Sequence, residues 1–442
     1  MQPLYMSLLL IVAFVPALSA CATYAPAPLG TTPPVASLSA TVKRSYLASV
    51  TIDLSRPLDS NAVATVAVIA NPDLKALRAR ADVTGAQAFS AGLLPDPTFS
   101  AGADAVLSGP DTKTNLTAAL GLNLNDLRTR GVVRTKAQAE NSQARLDLAW
   151  SEWQTSGQAR LQAVRIQRLE LQLLLNAASR KAQENLLERT ARAAGRGDIG
   201  GDQLQVARAA AATATEAHSA TERGLATARL ELTRLLGLPP QTTLTLAPAP
   251  LPDAPPSAET LVTLALAERS DLAALRAGYT AQEAALHKAV MDQFPALNLT
   301  INGNRDSADN SLVGPAVDFT LPLWNRNQGG IAVERATRAA MKAEYDARLF
   351  QTCAEITAAV DDINRLRLQR DRLLVDLPEV QNFADSTGKA ADHGDLSPAT
   401  AEAAGQALRD KQLQISQAEQ DIAELTISLE LLTGTPQGRW PK

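Results

Sequence analysis

Two hydrophobic periods alternate along this chain. Between 132 and 194, apolar residues return every three or four positions, with Leu146, Trp150, Trp153, Leu161, Val164, Leu171, Leu175, Ala178, Ala182 and Leu186 marking one stripe. The segment has no proline and a single glycine, Gly157. It predicts a helix of about sixty residues, ~90 Å long at ~1.5 Å per residue. A helix of that length requires a neighbour, so coiled-coil packing is implied. The pattern breaks at "GRGDIGGD" (195–202), and a second helix is predicted over 203–236, stopped by Gly237 and Pro239. Before Gly131 the period is two. "TFSAGADAVL" alternates with Phe99, Ala101, Ala103, Ala105 and Leu107 on one side. "NLTAALGLNLN" sets Leu116, Ala118, Leu120, Leu122 and Leu124 against Asn115, Thr117, Ala119, Gly121, Asn123 and Asn125. These are strands with one apolar and one polar face, and "SGPDTK" between them is a hairpin tip. A shorter helical opening, about 60–92, precedes the strands and ends at Gly92 and the breaker "LLPDP".

The same programme is then written again. "VATVAVIANPDLKALRA" from Val63 returns as "LVTLALAERSDLAALRA" from Leu261, with Thr65, Ala67, Asp73, Leu74, Ala76, Leu77, Arg78 and Ala79 matched by Thr263, Ala265, Asp271, Leu272, Ala274, Leu275, Arg276 and Ala277. "LNLTING" alternates Leu297, Leu299 and Ile301 against Asn298, Thr300 and Asn302. "AVDFTLPLW" alternates Val317, Phe319, Leu321 and Leu323 against Asp318, Thr320 and Pro322, and "DSADN" (306–310) is the tip. A long helix follows from Ile331, with a bend expected at Pro378. "HGDLSP" at 393–398 mirrors "RGDIGG" at 196–201, and "LLTGTP" mirrors "LLGLPP". Matched landmarks lie between 197 and 200 residues apart, which is the mark of a duplication. The predicted organisation is a first repeat at 60–240, a stiff Pro-rich linker at 241–256, a second repeat at 257–437 and a short tail at 438–442.

The strands bear on the membrane question. Each is close to the ~9–11 residues that cross a hydrocarbon layer as a tilted strand. An open sheet edge cannot face lipid, because unpaired N–H and C=O groups cost several kcal/mol each there. Four strands cannot close a barrel around a lumen. Two chains would give eight strands, packed nearly solid; three would give twelve, with a channel. The fold class expected is therefore mainly α, with long antiparallel coiled-coil helices, and four β-strands per chain contributing to a shared twelve-stranded membrane barrel. The competing reading is a soluble hairpin pair packed on helices.

The ends and the composition add the compartment. "LYMSLLLIVAFVPALSAC" suits a signal-peptide core over 1–20, too short and too N-terminal for a membrane span. Its ending, Leu18-Ser19-Ala20-Cys21, resembles the lipobox of bacterial lipoproteins, in which the cysteine thiol takes a diacylglycerol thioether and becomes the new N-terminus. A plain signal peptide with a chance cysteine is the alternative. The opening "MQPLYM" has no Lys or Arg, which points to a true start upstream. Ala22 after the cysteine, in the lipoproteins this resembles, favours passage to the outer membrane. Residues 21–59, rich in Pro, Ser and Thr, read as an extended lipid-anchored tether. The other cysteine, Cys353, reads as a small buried filler in a helix; no intramolecular disulfide remains to an acylated chain, so packing and assembly must supply stability. A net charge of −4 argues against nucleic acid as a partner.

The order of motifs, repeated once, resembles a known family. "NPDL…GLLPDPTFS", "LPLWNRNQGGIAVERA" and the paired "GDI"/"GDL" turns are similar to those of TolC-like outer-membrane efflux proteins over about 60–437, and most like the lipoprotein branch that serves resistance-nodulation-division pumps, metal-efflux members included. The resemblance implies a homotrimer whose outer-membrane barrel continues into a periplasmic α-helical tunnel. Its implied partners are a periplasmic adaptor at the tunnel tip, an inner-membrane pump and outer-membrane lipid. It implies a passive duct for drugs or metals, with no cofactor and no active site.

Candidate site residues follow. Cys21 is the lipidation site. Gly197, Gly200, Gly201, Gly394 and Ser397 lie in the helix-to-helix turns where family adaptors engage; simple turn chemistry is the alternative for each. Asp198, Asp202, Asp395 and Glu402 are candidate gate carboxylates, since family members narrow the tip with acidic rings; solvated helix-start acids are the alternative. Thr400 and Ala403 stand near places where the family commonly has acids. His218, His287 and His393 are scattered without zinc-ligand spacing, and neither a nucleophile elbow nor a Walker loop is present. The two mature methionines, Met291 and Met341, form no relay for soft metals. Competing functions are a lipid-anchored periplasmic adaptor, a coiled-coil envelope spacer, and a duct for type I protein secretion. Cys21→Ser is expected to abolish acylation, seen by mass spectrometry as loss of the acyl mass from the N-terminal peptide.

Overall fold

The computed structural model describes residues 24–30, 52–108, 110 and 113–441. The signal peptide, Cys21 and most of the proposed tether lie outside the described residues. Residues 1–36 form one unit, whose described stretch, 24–30, is exposed and without regular structure. Residues 37–442 form the other and contain every helix and strand below. In order these are α1 (Ser60–Ala70), α2 (Pro72–Gly92), β1 (Thr98–Asp104), β2 (Asn115–Asn123), α3 (Leu124–Gly195), α4 (Gly201–Leu235), α5 (Ala258–Glu268), α6 (Ser270–Met291), β3 (Leu297–Arg305), β4 (Ser311–Phe319), α7 (Gln328–His393) and α8 (Pro398–Thr433), with a 3-10 turn at Gln437–Arg439.

The helical openings differ from the expected single helix: each is two helices with a break between them. In the first repeat Asn71 leaves the helical conformation, accepts from the N–H groups of Asp73 and Leu74 at 2.9 and 3.1 Å, and is followed by Pro72 at the first helical position. Its own amide donates to the Leu235 carbonyl at the end of α4, at 3.0 Å. In the second repeat Arg269 occupies the break. It is buried, chelates Asp271 through two bonds of 2.9 and 2.6 Å, donates to the Leu432 carbonyl at 3.0 Å and stacks over Trp150 at 4.8 Å. Two turns further on, Arg78 and Arg276 each reach back to a carbonyl of the preceding helix, Val68 and Leu266. The duplicated "DL.ALRA" motif is thus a device that folds each helix pair back onto its repeat.

The long helices exceed their expected lengths: α3 has 72 residues and α7 has 66, with α7 continuous through Pro378. Asn123 caps α3 by accepting from Asn125 and Asp126, so the helix starts directly off β2 and contains Gly131. The fully buried positions of α3 include Trp153 of the expected stripe, the adjoining small residues Ser156, Gly157, Ala159 and Ala163, and Ile166, while the leucines of the stripe are half-buried or exposed. Leu171 and Leu174 are exposed. A Cβ on Gly157 would stand 2.5 Å from a Leu431 methyl, so this glycine lets α8 approach α3 closely. Cys353 is half-buried rather than buried. The core of the second repeat joins Leu261 and Ala265 of α5, Ile356, Val360 and Ile363 of α7, and Ile422 and Leu429 of α8, closed by Trp440. The proline-rich connection also packs: Leu58 forms a parallel bridge with Leu246, through N–H to Thr245 O and Ala247 N–H to Leu58 O, both 2.8 Å.

Beyond the Gly157–Leu431 contact, α3 and α8 are joined across the repeats by polar side chains. Arg160 pairs with Glu430, Arg168 donates to Gln420, Ser179 bonds Gln406 at 2.8 Å and Gln183 bonds Glu402 at 3.2 Å, in antiparallel register.

All four helix-ending glycines at 197, 237, 394 and 434 have positive φ, in two pairs 197 residues apart. Their surroundings differ. A Cβ on Gly237 would meet the Ala70 carbonyl oxygen at 2.3 Å, whereas one on Gly197 or Gly394 would meet nothing within 4 Å. Gly197→Ala is therefore expected to cost only the left-handed backbone strain, about 1–2 kcal/mol. Gly237→Ala adds a backbone collision and is expected to lower the thermal midpoint clearly more, as measured by circular dichroism on the two variants in parallel.

Candidate functional site

The four strands form one antiparallel sheet in the order β1-β2-β3-β4. Its register sorts side chains across all four strands. Phe99 opposes Leu120, which opposes Ile301, which opposes Pro315. On the same face stand Ala101, Ala103, Leu116, Ala118, Leu122, Leu297, Leu299, Val313, Val317 and Phe319, by the period of two, with Arg305 and Ser311 at its tip end. The other face carries Thr98, Ser100, Asp104, Asn115, Thr117, Asn123, Asn298, Thr300, Asn302, Asn304 and Asp318, with Leu312 as its apolar exception near the tip.

This apolar face is not covered. Phe99 is 72 % exposed and Val313 82 %, and Leu120, Ile301, Val317 and Phe319 are each about half exposed or more. Along the sheet, β1 and β4 are edges with no partner strand in the chain. β4 starts earlier than the alternation suggested and ends at Phe319, so Leu321 and Leu323 leave the strand. They remain exposed, with Trp324 at 94 % and Phe294 at 66 %, at the junction of sheet and helices. A sheet with a sorted apolar face, two open edges and aromatic residues at its base is built for a medium other than water. No described helix is long and apolar enough to cross a membrane, so strands would have to do so.

At the far end of the sheet the two hairpins are tied. Asp309, with φ +74°, accepts from Arg305 Nε at 2.6 Å and from Lys113 of the other hairpin. Lys113 and Arg305 hold its carboxyl below the usual aspartate range. Asp306 is likewise lowered, by bonds from the Asn310 side chain and backbone.

The opposite ends of the long helices carry the predicted turns. In the first, Gly197 N–H bonds Ala194 O and Asp198 N–H bonds Ala193 O, both at 3.0 Å; in the second, Gly394 bonds Ala391 O at 3.1 Å and Asp395 bonds Ala390 O at 2.9 Å. Both are helix stops that require a left-handed residue, supplied by glycine at φ +81° and +87°. Gly200 is the N-cap of α4 and Gly201 its first residue, while Ser397 caps α8 by accepting from Thr400 N–H at 3.1 Å, ahead of Pro398. His393 Nδ1 bonds the Lys389 carbonyl at 2.7 Å. Asp202 and Ser397 line one groove of about 570 Å³, together with Leu186, Ile199, Val206 and Pro398.

The four candidate gate acids do not converge within the chain. Asp198 is exposed and paired with Arg196 at 2.8 Å, and Asp395 is exposed. Asp202 sits over Gly200, where a Cβ would stand 2.3 Å from its Oδ1. Glu402 is turned into the α3–α8 seam, accepting from Gln183 at 3.2 Å and paired with Arg409. Among the described residues no group of three or more His, Cys, Asp or Glu is placed to hold a metal ion. Sequence reasoning missed the buried Glu152, paired with Arg78 at 2.8 Å, and the surface residue Asp147, whose carboxyl partial desolvation and the neighbouring Asp271 push up. Nothing in a helical pattern separates these from solvated acids.

Residues 261–435 match the family described as outer membrane efflux protein. Among curated proteins, none matches by sequence at a significant level. Solved structures do match by fold. The CmeC outer membrane channel of Campylobacter jejuni is 14 % identical with a TM-score of 0.72, covering 94 % of each chain. CusC, described in terms of transmembrane channel formation, is 16 % identical with a TM-score of 0.69, over 94 % of this chain and all of its own. The MtrE outer membrane channel of Neisseria gonorrhoeae, in an open state, is 16 % identical with a TM-score of 0.66, over 91 % and 98 %. The likeness, at these identities, is one of fold: a helical tunnel portion joined to strands of a β-barrel.

Adjacent residues on opposite faces give a direct test of the sheet's polarity. Ile301→Arg, on the apolar face, is expected to oppose insertion by about 2–4 kcal/mol, whereas Asn302→Arg is expected to be tolerated. Recovery of each variant in the membrane fraction, and its heat-resistant oligomer on gels, checks this.

Proposed function

We propose that this chain, whose residues 261–435 match the outer membrane efflux protein family, is not an enzyme but a passive, trimeric outer-membrane duct for substrates exported by an inner-membrane pump. The observation that carries this reading is the sheet: four strands with a continuous exposed apolar face and two open edges. Lipid requires every backbone N–H and C=O to be bonded, so β1 of one copy must pair with β4 of the next. Three copies close at twelve strands and leave a lumen. The Asn/Thr/Asp face then meets water and the Phe/Leu/Val face meets lipid, with Trp324 and Phe294 at the interface.

Below the sheet, the paired helices of each repeat continue the wall of the duct into the periplasm. The turns at Gly197, Gly200, Gly201, Gly394 and Ser397 offer backbone and a shallow groove to a periplasmic adaptor. Asp198, Asp202 and Asp395 are free to face the lumen of the closed tip, while the bonds of Glu402 suit it to fastening α8 against α3. Acylation at Cys21 anchors the chain to the outer membrane. Drugs and metals both remain within this reading, since a duct need not bind its cargo. An adaptor or an envelope spacer would have no use for the two-faced sheet.

In planar bilayers the purified protein is expected to give small, flickering conductance that grows when Asp198, Asp202 and Asp395 are neutralised, and to run as a trimer in detergent. A monomer without conductance, soluble without detergent, would overturn the duct and leave a lipid-anchored spacer.

A further inference from the structure

The polar face of the sheet is charged in one sense only. Across its four strands it carries two carboxylates, Asp104 and Asp318, and no Lys, Arg or His. Asp318 lies on the last rung of the polar face before the helices, opposite Asn298, which is itself opposite Asn123. Its carboxylate is exposed and makes no side-chain hydrogen bond or ion pair with any described residue. Its charge is therefore unpaired among the described residues. The basic residues nearest the sheet are occupied elsewhere. Lys113 and Arg305 are tied to Asp309 at the hairpin tips, and Lys288 is paired with Asp292 at 2.7 Å. Arg128 donates to the Met291 carbonyl and covers Phe294, and Arg130 donates to the Gly92 and Leu93 carbonyls. Arg326 stands outside the sheet, in the turn before α7.

Resting on the duct reading above, we infer that Asp318 sets the charge preference of permeation in the barrel: three symmetry-related carboxylates on one rung make the lumen cation-selective, independently of the acids at the helix-turn tips. The dimensions permit it. Twelve strands ~4.8 Å apart and tilted by ~40° close at a backbone radius of about 12 Å. Side chains pointing inward bring the carboxylates to within about 10 Å of the axis, one Debye length at 0.1 M salt and about three at 1 M. The field of the ring thus spans the lumen in dilute salt and retreats to its wall in concentrated salt. Thr300 and Asn302 stand on the next rungs and add no charge, so nothing on this face offsets the ring.

The experiment is the reversal potential of the full-length protein in planar bilayers under a KCl gradient centred near 0.1 M, repeated near 1 M. The wild type is expected to favour K+ over Cl− by about threefold or more in dilute salt, and far less in concentrated salt. Asp318→Asn should lower that ratio at least about twofold at unchanged trimer mass, and Asp318→Lys should invert it. Asn302→Asp, which adds a carboxylate to the same face without touching Asp318, should raise it. A conducting trimer whose reversal potential does not respond to these three substitutions would overturn the inference and leave the duct standing. A wild-type protein that forms no channel would overturn the duct and the inference together.

Discussion

A backbone amide in hydrocarbon must be bonded, and most of this architecture follows from that requirement. The chain contributes a sheet whose inner pairs, β1–β2, β2–β3 and β3–β4, are complete and whose two outer edges are not. In water such edges would be solvated at little cost. Beside lipid they are untenable, so in the proposed duct the sheet is finished by other copies. The long helices are subject to the same assembly. The leucines exposed on α3, Leu171 and Leu174, and Phe350, Val375 and Phe383 on α7, are apolar positions that the chain itself leaves in solvent.

Duplication supplies the rest of the order. Each repeat ends a helix pair on a positive-φ glycine, Gly237 or Gly434, and each lays the break of its opening helices against that end. The chemistry at the break has diverged while the geometry has held: an asparagine amide reaches the Leu235 carbonyl in one repeat, and an arginine guanidinium reaches the Leu432 carbonyl in the other. The guanidinium brings a charge, and with it Asp271 and the face of Trp150. One backbone carbonyl has thus been satisfied by two unrelated side chains, which explains why the copies share a fold while sharing few identities outside the opening motif.

Much of this was legible in the sequence, because the signals are local. Alternation in "NLTAALGLN" and "LNLTING" marked the strands and their faces, and Gly197, Gly237, Gly394 and Gly434 marked the helix ends, since only glycine enters the left-handed region without strain. Asn71-Pro72 also announced the helix break, through an N-cap followed by proline, but the continuous apolar pattern on either side hid it. Arg269 carried no such announcement, because a guanidinium that ends a helix from a distance does so through tertiary contacts. The strand expected through Leu323 stopped at Phe319 for a similar reason: alternation persists in the exposed Leu321-Pro322-Leu323 segment, where apolar burial would come from the surrounding medium rather than from a partner strand. The α3 stripe held at Trp153, but its leucines are only half-buried or exposed, because close packing favours Gly157 and Ala163 over leucine and hydrophobicity alone does not register how near two axes come.

The seam between α3 and α8 is made of side-chain hydrogen bonds and ion pairs from Arg160–Glu430 down to Gln183–Glu402, whereas the close apolar contact across it, Gly157 against Leu431, lies at the Glu430 end. Bonds of this kind exchange with water at nearly equal free energy, and aliphatic contacts do not. The two repeats are therefore joined like a clasp that is firm at one end and reversible at the other. Opening can begin at the turns and travel only as far as the first aliphatic contact, so motion near the turns need not disturb the strands.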